Sequence, residues 1–183
     1  MKNGRISCWH FSQKEPYNLY IEKNRERNEL IIEFTGKILQ NDYPSLINQE
    51  TMRQCLYNIN MLDICHLDVD HIMSDATVVK CDITQDVQYD NLQYLTTGIS
   101  SSIKNHKKYT CRKDGNNITI TNNVSTPNRK IRLTIYDKDN EMALLKNKSF
   151  YSSINNLNSI REYFSKKIRF ELNLNSIYQI KKC

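Results

Sequence analysis

Three stretches of this chain alternate apolar and polar residues with a period of two, and they limit the fold more than any other feature. In Lys130 to Lys138, Ile131, Leu133 and Ile135 point one way, and Arg132, Thr134, Tyr136 and Lys138 the other. Val78 to Thr84 sends Val79, Cys81 and Ile83 to one side and Lys80, Asp82 and Thr84 to the other. Lys167 to Asn175 turns Ile168, Phe170, Leu172 and Leu174 inward and Lys167, Arg169, Glu171, Asn173 and Asn175 outward. Successive strand residues face opposite sides of a sheet, so each stretch predicts a half-buried strand. A further strand, Leu30 to Thr35, ends at Gly36 and turns Glu33 outward.

The remaining signals supply cover for one face. Residues 48–62 carry Met52, Cys55, Leu56 and Ile59 at helical spacing, with Asn48 as the N-cap. Asp90 is placed to cap a helix over 91–104 that aligns Leu92, Leu95, Ile99 and Ile103. Glu141 to Lys148 and 155–165 also predict helices, and another starts at Ser176. Short strands are expected near Ile6 to Trp9 and Leu19 to Ile21, with the charged run Glu22 to Glu29 as a hairpin loop. Lys107 to Arg112 and Asn117 to Thr121 flank Asp114-Gly115 as a hairpin. The first of these strands is basic and aromatic, which suits single-stranded nucleic acid and equally suits an edge strand kept soluble by lysines. The expected fold is α+β: a mostly antiparallel sheet with helices on one face and a polar face on the other, in a single domain spanning 1–183.

Composition narrows the class. Four glycines and three prolines argue against long flexible linkers. A net charge of +6 is compatible with nucleic acid without demanding it. Six cysteines, at 8, 55, 65, 81, 111 and 183, show no C-x-x-C pair or zinc-like Cys/His block, which fits free thiols in a reducing compartment. No apolar run approaches the roughly 20 residues needed to cross a bilayer, and Met1 to Arg5 leads into no signal-like apolar segment.

Four strands thus place a carboxylate or phenol on the non-core face: Glu33, Asp82, Tyr136 and Glu171. Carboxylates from neighbouring strands suit Mg²⁺ or Mn²⁺. A divalent ion beside a tyrosine and several cations is a set suited to phosphodiester transfer. The competing account is that Asp82 and Glu171 pair with Lys80, Arg132 or Arg169 in cross-strand ion pairs. His66, Asp68 and Asp70 would share a strand face as metal ligands could, but His66 and His71 stand five apart, and a polar strand end or loop is the simpler account.

The order Val79 to Thr84, then Arg132 to Lys138 with Glu141, then Ile168 to Glu171 resembles the rolling-circle replication initiators of the filamentous-phage gene-two and gene-X type and related plasmid proteins. Glu33 to Leu39 resembles that family's lead-in. The resemblance implies that Tyr136, in the Tyr-x-Lys strand, is the nucleophile. It would form a 5′-phosphotyrosyl link and leave a 3′-hydroxyl for the host polymerase. It implies that Asp82 and Glu171, with Glu33, hold Mg²⁺ or Mn²⁺, with His66 as a marginal extra ligand. Lys138 stands beside the nucleophile, and Lys138, Arg169, Arg132 and Lys80 are candidate phosphate contacts. Expected partners are single-stranded or hairpin origin DNA, the host replication helicase or polymerase, and a second copy of the chain, in the cytoplasm of a bacterial host and with no membrane. Family members run on further at the C-terminus, so the resemblance allows a truncated chain, and the His-hydrophobic-His pair of other nicking enzymes is absent. Two alternatives stand beside this: a non-catalytic origin-binding module regulating replication, and a metal-dependent nuclease that uses water.

Overall fold

The computed structural model describes residues 8–103, 106–126 and 129–181. The chain divides into two compact units, residues 1–75 with 145–160, and 76–144 with 161–183. Of the first expected strand, Ile6 and Ser7 lie outside the described residues.

In the first unit, β1 (Cys8–Gln13), β2 (Leu19–Asn24) and β3 (Glu29–Glu33) form an antiparallel meander. The charged run is not one long loop. Glu22, Lys23 and Asn24 pair with Ile31, Leu30 and Glu29, so only Arg25 to Asn28 remain as the turn. Asn28 closes that turn at φ +50°, a left-handed conformation that Asn tolerates better than most residues. A 3-10 segment, Gly36–Ser45, leads to α1 (Thr51–Asn60) and α2 (Val69–Asp75). Asn48 does serve α1, its Oδ1 accepting from the Glu50 and Thr51 amides at 2.8 and 3.0 Å. Leu19, Ile21, Ile38, Leu39, Cys55, Leu56 and Ile59 form the core. The helix expected at 48–62 therefore packs on this unit's own strands, and the strand of Tyr136 takes its cover from a different helix.

The His66 to His71 stretch is a loop entering a helix. Asp68 Oδ1 accepts from the His71 amide at 3.1 Å, and Asp70 pairs with Arg53. A helix turn separates residues that a strand would have aligned, so the simpler account holds.

The second unit is a five-stranded antiparallel sheet in the order β4-β8-β7-β6-β5. Its strands are β4 (Cys81–Gln88), β5 (Tyr109–Asp114), β6 (Asn117–Asn122), β7 (Arg132–Asp137) and β8 (Lys167–Leu174). The sheet confirms the α+β class, but the expected single sheet is two, and Glu33 belongs to the other one. Helix α3 (Leu92–Ile103) lays Leu92, Leu95, Ile99 and Ile103 on Ile118, Ile120, Ile135 and Ile168. Its cap is Asn91, whose Oδ1 accepts from the Tyr94 amide at 2.9 Å, and not Asp90.

Strand β4 starts three residues later than expected. Val79 and Ile83 are 55% and 46% exposed, because β4 is an edge strand and α3 packs over the other end of the sheet. The β5–β6 hairpin closes through Gly115 and Asn116, with Gly115 at φ +57°, where a glycine carries no Cβ penalty. The helix expected over Glu141 to Lys148 is broken into α4 (Lys138–Met142), a 3-10 turn Leu145–Asn147 and α5 (Lys148–Ser152). The Asp137 side chain accepts from the Asn140 amide at 3.0 Å and so starts α4 early. Helix α6 (Leu157–Phe164) precedes β8, and α7 (Ile177–Ile180) follows it, capped by Ser176. Among the described residues no helix is long and apolar enough to cross a membrane.

Candidate active site

The polar face of the five-stranded sheet is built in rows. Register sets Thr110, Thr121, Arg132, Asn173 and Asp82 side by side across all five strands. The next row is Arg112, Thr119, Thr134, Glu171 and Thr84. A third brings Tyr136 beside Arg169 and Arg169 beside Asp86. Direct neighbours lie about 5 Å apart and diagonal ones about 7–8 Å. Glu171 is therefore the hub: Tyr136 and Arg132 are its diagonals on β7, and Asp82 and Asp86 its diagonals on β4.

The side chains use this arrangement. Tyr136 donates its phenolic hydrogen to Glu171 Oε2 at 3.0 Å. Arg169 is 4% exposed, and its Nε and Nη2 reach the two Asp86 oxygens at 2.7 and 2.8 Å. This bidentate fork is the strong form of the pair, and it engages the guanidinium against protein. The Asn173 amide donates to Asp82 Oδ1. Lys138 is 3% exposed and sits 2.6 Å from Glu141 Oε2. Its ammonium lies 5.9 Å from the Tyr136 ring centre and 5.7 Å from that of Phe164, while the Arg169 guanidinium is 5.3 Å from Phe164. Phe164 thus faces two cations, each within cation–π range. Arg132 is exposed, and Lys80 is exposed just ahead of β4.

The sheet brings Tyr136, Glu171, Asp82, Arg132 and Arg169 onto one face, with Lys138 at the end of β7. Glu33 stands on β3 in the other unit. Among the described residues no three His, Cys, Asp or Glu side chains gather as a metal cage. Mg²⁺, however, is commonly held by one or two carboxylates plus water and substrate phosphates. The diagonal pair Asp82 and Glu171 fits that class of site, since both offer only oxygen.

Residues 36–182 match the family model for the N-terminal part of the replication-associated protein of phage gene two. The chain belongs to that family. Membership makes it a replication initiator of the filamentous-phage gene-two type, as the strand motifs implied. The matched span contains Tyr136, Asp82, Glu171, Arg132, Arg169 and Lys138, and it begins after Glu33. No curated protein and no solved structure matched this family member.

Two residues of the site carried a weak sequence signal. Asp86 continues the period-two pattern of β4 beyond Thr84, and extending that pattern by one step places it on the polar face; only the β4–β8 register sets it opposite Arg169. Phe164 looked like core at the end of an amphipathic helix, and nothing in its spacing indicates two cations over its ring.

Proposed function

We propose that this initiator nicks and rejoins origin DNA by tyrosine transesterification, with Tyr136 as nucleophile. The observation that supports it is the hydrogen bond from the Tyr136 phenol to Glu171 on a face that also carries Arg132 and Lys138. In the forward step the phenolic oxygen bonds to phosphorus and the P–O3′ bond breaks. The phenolic proton passes to Glu171 Oε2, which already holds the hydrogen bond. The departing 3′-oxygen takes a proton from water and becomes a hydroxyl that a host polymerase can extend. The 5′-phosphotyrosyl bond keeps the free energy of the broken link, so rejoining needs no ATP.

Lys138 and Arg132 contribute positive charge near the phosphoryl oxygens. Arg169 acts one layer back: its fork on Asp86 fixes β8 beside β4 and so holds Glu171 in place. Mg²⁺ or Mn²⁺, held by Asp82 and Glu171, would add Lewis-acid stabilisation of the phosphoryl oxygens.

The test is a nicking assay on single-stranded DNA spanning the cognate origin, with Mn²⁺ or EDTA, using wild type and Tyr136→Phe. An SDS-resistant protein–DNA adduct that disappears in Tyr136→Phe is the expected result. Adduct on another tyrosine would overturn the assignment, and cleavage without adduct would indicate water as nucleophile. Binding without cleavage under any metal would indicate an origin-binding module.

A further inference from the structure

We infer that the β5–β6 end of the same sheet face seats the phosphodiester backbone of single-stranded DNA on its way to Tyr136. This rests on the nicking function proposed above and names where its substrate lies. A cleft of about 430 Å³ opens there, lined by Thr110, Arg112, Thr119, Thr121, Asn122 and Lys130, with Asn123 and Val124. It is continuous with the site, because Thr121 stands opposite Arg132 and Thr119 opposite Thr134.

The charge on the two halves of this face differs in kind. Over β4 and β8 the face is mixed: Asp82, Asp86 and Glu171 stand among Lys167 and, just ahead of β4, Lys80, and its one guanidinium is forked onto Asp86. Over β5 and β6, with Lys130 just ahead of β7, the cleft is lined by cations, hydroxyls and amides, with no carboxylate among its residues. Asp114 lies on that face only at the hairpin tip, two residues beyond Arg112. Arg112, Lys130 and Arg132 are all exposed, and among the described residues none has a carboxylate partner. Three exposed cations on one face, none of them held in an ion pair among the described residues, make a local positive field that attracts phosphate. Ordinary surface cations mixed with acids, as in the Arg25 to Glu29 turn, do not.

The width and lining select the ligand. The two strands under the cleft and the neighbouring β7 together span about 10 Å between their outer axes. That is room for one backbone, and the tyrosine must reach a single phosphorus. No aromatic ring lines the cleft, so there is no platform for stacking bases. Threonine hydroxyls and asparagine amides donate to phosphate oxygens without reading sequence. The cleft therefore grips the strand, leaving origin choice to other contacts. The sequence pattern of β5, basic and aromatic, is resolved by the pleat: Arg112 faces the cleft, while Tyr109, Cys111 and Lys113 face the α3 side.

The experiment is binding by fluorescence anisotropy across a salt series, with a labelled mixed-sequence single-stranded oligonucleotide and the matching duplex. All proteins carry Tyr136→Phe, so no chemistry intervenes. Adding Arg112→Gln and Lys130→Gln should weaken binding at low salt. It should also make the slope of log K against log salt less negative by about 1.4, at about 0.7 per lost phosphate contact on single strands. Lys113→Gln, on the same strand but the opposite face, should leave the slope unchanged. An unchanged slope in the Arg112/Lys130 variant, with the parent still binding, overturns the cleft alone. A parent that prefers the duplex overturns the single-strand assignment. A parent that binds neither DNA overturns the nicking function, and the cleft with it.

Discussion

Tyr136 and Glu171 lie diagonally across β7 and β8, and the phenol of one donates to the carboxylate of the other at 3.0 Å. Under the proposed mechanism, a carboxylate at that distance takes the phenolic proton as the oxygen attacks. Glu171→Gln keeps an oxygen acceptor of the same shape but is a far weaker base. The rate of adduct formation should fall by roughly 10²–10⁴-fold, the usual range for a lost general base. DNA binding measured in EDTA, where no metal bridges Glu171 to a phosphate, should persist or tighten, since a negative charge on that face is gone. Single-turnover gels paired with anisotropy check both halves, and an unchanged rate would remove Glu171 from the chemistry.

The Asp86–Arg169 fork is buried, with side-chain exposures of 2% and 5%. Removing one member of such a pair strands the other charge, so Asp86→Ala should cost about 3–5 kcal/mol. Replacing both, with Asp86→Leu and Arg169→Met, should restore most of that stability. Urea midpoints for the three proteins decide it. A single variant as stable as wild type would mean that the guanidinium is well solvated without Asp86.

How much of this was legible in the sequence follows from the physics of each element. The polar face was readable because pleat parity is local: Arg132, Thr134 and Tyr136 must share a side wherever β7 goes. Which strands lie next to one another is not local. Glu33 obeys the same parity as Glu171, yet its strand pairs with β2 in a separate sheet, and only tertiary packing decides that. Capping sat at the edge of legibility. Asp90 and Asn91 are both good caps, and a one-residue shift in chain entry selects Asn91. The ion pairs were foreseen as a class, but the partner of Arg169 is Asp86, beyond the stretch recognised as β4.

Cys55 makes stability depend on pH on the alkaline side. Burial pushes its thiol up from 9.0 to about 12 in the folded chain. Between those values the unfolded chain loses the proton and the folded chain keeps it, so the unfolded state binds fewer protons. Stability is then fully present below about pH 9 and falls as pH rises toward 12. Cys55→Ala will start from a lower midpoint, because it leaves a small void in the core. It should nonetheless lose less stability than wild type between about pH 8 and pH 10, the window in which the unfolded thiol ionises. Parallel urea titrations at several pH values measure this, and identical pH dependence in the two proteins would show that the thiol titrates alike in both states.

Lys138 can serve as a support for α4 or as a cation for the phosphoryl group, and two substitutions separate these. Its ammonium is 2.6 Å from Glu141 and faces the rings of Tyr136 and Phe164. Lys138→Met keeps the apolar stem packed and removes only the charge, while Glu141, with a fifth of its side chain exposed, stays in reach of water. Glu141→Gln leaves the ammonium in place but takes away the charge opposite it, which at 4% side-chain exposure should cost about 3 kcal/mol. If Lys138 acts on the phosphate, Lys138→Met should slow adduct formation by roughly 10²-fold or more, as for removal of one transition-state contact, with little change in the urea midpoint. Glu141→Gln should do the reverse, lowering the midpoint while leaving the rate near wild type at temperatures where the protein is folded. Equal loss of stability in both variants, with the rate intact in both, would instead assign Lys138 to holding α4 against β7.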